Sequence, residues 1–240
     1  MRIDAYFAPG HVTDGDVDGR VAVVIDVIRA TSCITEAIAN RAKTIVPTAS
    51  IEEATKLGGS LDISQTLLCG ERRGVPIEGF DLGNSPAEFT AERIQGKQLV
   101  MTTTNGTRAF LAAQDADRIL SASFLNLTAV IEAVGIGSDI AVVCAGKDDL
   151  FSLDDVVCAG HIIQGVAARQ DEPIVFNDAA RAAATLAERF EPSAEFFART
   201  AAGQALIDVG LESDLALCAE VDKHTIVPEM YDRRISAPKE

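Results

Sequence analysis

Tryptophan is absent from this 240-residue chain, and aromatic residues make up only 5% of it. With so few rings to stack on bases, a nucleic-acid platform is not expected. Basic residues are also scarce: 21 Lys and Arg face 36 Asp and Glu, for a formal charge of −15. So acidic a chain does not bind a polyanion or an anionic membrane over a broad surface, yet one small anion can sit in a locally basic pocket. No apolar run approaches the roughly 20 residues of a membrane span. The first residues, MRIDAYFAPG, lack the apolar centre of a signal peptide, so the cytoplasm is the expected location.

Metal and thiol signatures are missing as well. The five cysteines, Cys33, Cys69, Cys144, Cys158 and Cys218, form no C-x-x-C pair. They read as reduced, mostly buried structural thiols. None is followed six positions later by Arg, as a thiolate nucleophile that cradles phosphate in its own loop requires. His11, His161 and His224 show no ligand spacing, and His161 reads as a packed core histidine. No P-loop or dinucleotide fingerprint is present. DGDVDG, residues 14–19, matches the start of a calcium loop, but its twelfth position falls on Ile25, where a bidentate Glu is needed. It reads as a solvated acidic turn.

What is present is an alternation. Strand-like runs occur at RIDAYF, VAVVIDV, TIVPTA, QTLLCGE, KQLVMTTT, DRILSAS and DIAVVCAG. Helical patterns lie between most of them: SCITEAIAN, SIEEATKLG, SPAEFTAERI, NGTRAFLAAQ and NLTAVIEAVG. This predicts an α/β fold of three layers, α/β/α, with a largely parallel or mixed sheet. After about residue 150 the chain turns helix-rich, with HTIVPEMYD as a last strand candidate. No linker or repeat divides it, so 1–240 reads as one domain. Ligands should collect outside the carboxyl ends of the strands.

Four strand ends carry chemistry. In VVIDVIRATS, a buried strand runs into Asp26, Arg29, Thr31 and Ser32 at the mouth of a helix. A carboxylate there suits a Mg2+ ligand or a phosphoryl-accepting nucleophile, and Arg29 offers a planar fork for phosphate oxygens. The plain alternative is a local Asp26–Arg29 ion pair, with Thr31 or Ser32 as the helix cap. GERRGVPIEGFDLGNSPAEF, residues 70–89, brings Glu71, Arg72, Arg73, Asp81 and Asn84. Its Ser85, Pro86 and Glu88 predict a capping box. TTTNGT, residues 102–107, puts Thr103, Thr104, Asn105, Gly106 and Thr107 at a helix start, where small donors and free amides make a neutral anion cradle. CAGKDDLFSLDDVVCAG, residues 144–160, adds Lys147, Asp154 and Asp155. Ser152 and Asp155 also spell a capping box there.

In this order, DVIRATS, GERRGVPIEGFDLGNSP, TTTNGT, CAGKDDLFSLDDVVCAG and GLESDLALCAEVD…VP resemble the 2-phosphosulfolactate phosphatase family over essentially the whole chain. The resemblance implies a three-layer α/β fold with a mixed sheet. It also implies Mg2+-dependent hydrolysis of (2R)-2-phospho-3-sulfolactate to 3-sulfolactate and phosphate, a step of coenzyme M biosynthesis. The family motif reads Glu-Asp where this chain has Asp154-Asp155, so Asp155 is the better carry-over. Catalysis is expected from Asp26, Arg29 and Asp155. Substrate binding is expected from Thr31, Ser32, Arg72, Arg73, Asn84, residues 103–107 and Lys147. Metal ligation is expected from Asp26, Glu71, Asp154 and Asp155. Arg72, Arg73, Arg108 and Lys147 compete to hold the carboxylate and sulfonate of such a substrate. Two alternatives stay open, a phosphatase for another 2-phospho acid and a non-catalytic anion sensor, and a homodimer is compatible with either.

Overall fold

The computed structural model describes residues 1–238. The first half of the chain runs β1 (Arg2–Tyr6), β2 (Val21–Ile25), α1 (Ala30–Ala39), β3 (Thr44–Pro47), α2 (Ile51–Ser60), β4 (Thr66–Arg72), β5 (Val75–Pro76) and α3 (Ala91–Ile94). Then follow β6 (Gln98–Thr102), α4 (Gly106–Ala112), β7 (Arg118–Ala122), α5 (Leu127–Val134), β8 (Ile140–Cys144) and α6 (Leu153–Ala167). The rest comprises β9 (Val175–Phe176), α7 (Asp178–Ala187), α8 (Ala194–Phe197), α9 (Ala201–Asp208), α10 (Ser213–Cys218), β10 (Glu229–Tyr231) and β11 (Arg234–Ser236). The strands form a mixed sheet in the order β5-β4-β6-β3-β11-β10-β7-β2-β8-β1-β9. Its two parallel halves are joined by the β10–β11 hairpin, which pairs antiparallel with β7 on one side and β3 on the other.

Period-two alternation divides the core between the two faces. In β2, Val21, Val23 and Ile25 join a cluster with Ile3, Leu120, Val142 and the apolar stripe of α6. Ala22 and Val24 point the other way, into a cluster with Ile34 and Ile38 of α1, Phe110 of α4, and Leu99 and Met101 of β6. Helices therefore cover both faces, and all five residues of β2 are buried, as a parallel central strand requires. Helices α6 and α7 cross closely because residue 160 is Gly: a Cβ there would collide with the Ala183 carbonyl.

Four strands separate β6 from β2 in the sheet, yet a Cβ placed on Gly106, after β6, would stand 2.6 Å from Asp26 Oδ2, after β2. The segments that follow these two distant strands therefore meet at one place.

Two local expectations differ. SPAEFTAERI is not one helix but a 3-10 turn, Pro86–Glu88, followed by the short α3. Ser85 caps nothing there: its hydroxyl donates to Asp214, and the Glu88 carboxylate accepts from the Gly83 amide. The long run from Ser193 to Val209 breaks into α8 and α9 because Thr200 restarts the chain as an N-cap, accepting from the Gly203 amide. All five cysteines are free and buried. No helix among the described residues is long and apolar enough to cross a membrane.

Candidate active site

Asp26 follows the last residue of β2, and its carboxylate starts the next helix. Oδ1 accepts from the Ala30 amide (3.1 Å), the first of α1, and the Asp26 carbonyl accepts from the Thr31 amide (2.9 Å). Thr31 and Ser32 lie inside α1 and do not cap it; their hydroxyls donate to the Asp26 and Val27 carbonyls, both at 2.8 Å. The alternative of a local Asp26–Arg29 ion pair does not form among the described residues. Arg29, only 3% exposed, reaches across the fold: Nη1 donates to Asp214 Oδ2 (2.7 Å) and Nη2 to the Gly74 carbonyl (2.8 Å). The Ile28–Arg29 peptide is cis.

A cavity of about 410 Å3 opens at this strand end. Asp26, Glu71, Asp148, Asp154 and Asp155 are its acids, Arg29, Arg73 and Lys147 its cations, and Asn84, Thr104 and Asn105 contribute neutral polar groups. Ala202, Ala205 and Leu206, one face of α9, form an apolar wall whose two alanines leave room for a ligand.

Each acid is held differently. Asp155 is clamped by both oxygens, Oδ1 accepting from the Val27 amide (2.8 Å) and Oδ2 from the Gly146 amide (3.0 Å), so it ties the ends of β2 and β8 together. The predicted capping box at α6 therefore does not form. Glu71 accepts from the amides of Gly74 and Thr104, each at 2.7 Å, and joins the loops after β4 and β6. Asp154 Oδ1 accepts from the Ser152 hydroxyl at 2.7 Å. Oδ2 of Asp26 and Oδ2 of Asp154 accept no hydrogen bond from another described residue.

Burial raises the carboxyl of Asp26 to about 7, and the charges of Glu71 and Asp154 push the same way against Ala30 and Arg29. Burial likewise raises Asp154, and burial with the charges of Asp154 and Asp26 raises Asp155 well above the usual carboxylate range. Packing these acids together without a cation is costly. An added hard cation would relieve that cost.

A family model described as 2-phosphosulpholactate phosphatase matches residues 6–233. The chain belongs to that family. A Symbiobacterium thermophilum protein named probable 2-phosphosulfolactate phosphatase is 44% identical over 92% of this chain and 95% of its own length. Proteins of the same name from Clostridium acetobutylicum and Thermotoga maritima are 38% and 40% identical, over 98% and 90% of this chain and 100% and 91% of theirs.

Within this family member, the cavity gathers ten of the residues singled out from sequence: Asp26, Arg29, Glu71, Arg73, Asn84, Thr104, Asn105, Lys147, Asp154 and Asp155. Thr31, Ser32, Arg72, Thr103, Gly106 and Thr107 are not in its lining. Arg72 donates to the Glu71 carbonyl and the Thr102 hydroxyl, the Thr103 hydroxyl accepts from the Thr107 amide, and the Thr107 hydroxyl donates to the Thr103 carbonyl. These groups shape the loops. Gly106 matters by its size, since it lets α4 approach Asp26. One amide of the expected cradle, Thr104, already receives the Glu71 carboxylate.

Of the four basic residues that competed to hold a second anion, Arg108 is paired with Asp149 (2.9 Å) and Arg72 lies outside the cavity. Arg73 and Lys147 remain. Sequence reasoning passed over Asp214 and α9. Asp214 stands in the GLESDLAL segment, whose helical pattern gives no sign that one acid turns inward to an arginine 185 positions earlier.

Proposed function

We propose that the chain is a cytoplasmic, Mg2+-dependent phosphatase that hydrolyses (2R)-2-phospho-3-sulfolactate to 3-sulfolactate and phosphate in coenzyme M biosynthesis. The observation that carries this reading is the meeting, in one cavity, of a strand-end carboxylate, a fixed guanidinium and two further cations, Arg73 and Lys147, that form no salt bridge among the described residues. Phosphate-ester hydrolysis depends on placing a nucleophile and neutralising the phosphoryl oxygens. Arg29 keeps three N–H donors beyond the two engaged by Asp214 and Gly74, enough to receive phosphoryl oxygens. Arg73 and Lys147 would take the carboxylate and sulfonate.

The donor set suits Mg2+. It is all oxygen, and among the described residues no three His, Cys, Asp or Glu side chains form a protein-only cage. Magnesium prefers one or two carboxylates completed by water and substrate oxygens. Asp26 and Asp154, each with an oxygen free of hydrogen bonds, would hold it, while Asp155 fixes the two strand ends. When bound, the ion supplies charge neutralisation for an anionic nucleophile meeting an anionic ester.

In the reaction, an Asp26 carboxylate oxygen attacks phosphorus as the bond to the C2 oxygen breaks, and the departing oxygen takes a proton from water to become the hydroxyl of 3-sulfolactate. The aspartyl phosphate is then hydrolysed by water, which returns the carboxylate and releases phosphate. Strand-end placement supports this, because a near-attack geometry tolerates little drift.

The test is phosphate release from 2-phosphosulfolactate with and without EDTA, beside 2-phospholactate and p-nitrophenyl phosphate. Turnover that needs Mg2+ and favours the substrates carrying one or two anionic groups besides the phosphate is expected. Tight substrate binding with no turnover in Mg2+ would leave an anion sensor instead.

A further inference from the structure

We propose that Asp214 is a positioning residue: it orients the Arg29 guanidinium, and through Ser85 the Asn84 segment, toward the phosphoryl group. This rests on the phosphatase reading above. Asp214 is 2% exposed and does not line the cavity, so it acts only through other residues. Its two oxygens have separate partners: Oδ2 accepts from Arg29 Nη1 and Oδ1 from the Ser85 hydroxyl, both at 2.7 Å.

The guanidinium is planar, so anchoring two of its nitrogens fixes its plane. Asp214 anchors one and the Gly74 carbonyl the other, which leaves the remaining donors a single direction. Ser85 adjoins Asn84, a cavity-lining side chain, 4% exposed, whose Oδ1 is buried without a partner. Both side chains line the cavity, so one anionic ligand can meet the amide N–H donors of Asn84 together with the free N–H donors of Arg29. Stability alone does not account for the ion pair, since a buried pair generally gains little over apolar residues of the same volume.

A competing role is charge balance, in which Asp214 merely neutralises Arg29. The two roles differ in sign. Asp214→Asn removes the balancing charge, so balance predicts equal or tighter binding of inorganic phosphate, whereas orientation predicts weaker binding. Asp214→Glu keeps the charge, and a partner for the buried Arg29, but lengthens the arm by one carbon. Here orientation predicts a loss and balance predicts none.

The experiment measures inorganic phosphate affinity by calorimetry, and kcat and KM for 2-phosphosulfolactate, in the wild type, Asp214→Asn, Asp214→Glu, Arg29→Ala and Asp214→Asn with Arg29→Ala. Both Asp214 variants should lose about 10- to 100-fold in phosphate affinity and in kcat/KM. The double variant should be no worse than Arg29→Ala. A wild-type-like Asp214→Glu, unweakened phosphate binding by Asp214→Asn, or losses that add to those of Arg29→Ala would overturn the proposal. Should the wild type bind phosphate but turn nothing over, the phosphatase reading fails, and the phosphate affinities still decide the role of Asp214.

Discussion

Gly106→Ala tests whether the close approach of α4 fixes the carboxylate of Asp26, the proposed nucleophile. An alanine Cβ at this position would stand 2.5 Å from Ala30 Cβ and 2.6 Å from Asp26 Oδ2. Restoring an ordinary contact, which begins near 3.4 Å, requires about 0.8 Å of movement at Asp26. Little else can give. Ala30 opens α1, Gly106 opens α4, and both are buried. Overpacking of this kind costs about 1–3 kcal/mol, which for a chain of this size lowers Tm by roughly 2–12 °C. A displacement near 1 Å in a reacting group costs on the order of 100-fold in rate. Calorimetry and phosphate release at saturating Mg2+ should therefore show a modest loss of Tm beside a drop in kcat of about that size. Phosphate affinity should change little, because Arg29 is anchored elsewhere. A variant that folds and keeps kcat within about twofold of wild type would refute the reasoning.

Asp26→Asn should abolish turnover by several orders of magnitude while the fold and phosphate binding persist; wild-type enzyme quenched during turnover should carry an acid-stable phosphoryl mass on the peptide containing Asp26. Asp155→Asn should raise the Mg2+ concentration needed for half-maximal activity and lower stability by about 1–3 kcal/mol in chemical denaturation, since an amide cannot accept from both Val27 and Gly146. The metal-free protein should lose stability as pH rises. The folded carboxyl of Asp26 is raised from 3.8 to about 7, so its contribution is complete below 3.8 and is lost as pH passes through 7. Thermal scans in EDTA should give a lower Tm at pH 8 than at pH 5.5, with Mg2+ raising Tm more at pH 8; equal Mg2+ shifts at both would contradict the placement of Asp26 beside the ion.

Much of the fold is legible in local pattern. The five apolar residues of VAVVI read as a buried parallel strand with an acid at its carboxyl end, and all five are buried in β2. The same logic placed Glu71, Thr104 and Lys147 at strand ends, and all three line the cavity. These features depend on backbone period and chain direction, which a sequence carries residue by residue.

Where two local explanations competed, the tertiary structure decided. Ser85, Ser152 and Thr31 each looked like a helix cap. Their hydroxyls instead serve Asp214, Asp154 and the Asp26 carbonyl, because a short polar group takes whichever partner burial brings nearest. Arg29 chose Asp214 over Asp26 for the same reason. The segments after β2 and β6 meet although four strands, the β10–β11 hairpin among them, lie between the two. Strand order is set by contacts between residues far apart in the chain, and the period of a single segment holds no record of which distant strand lies beside it.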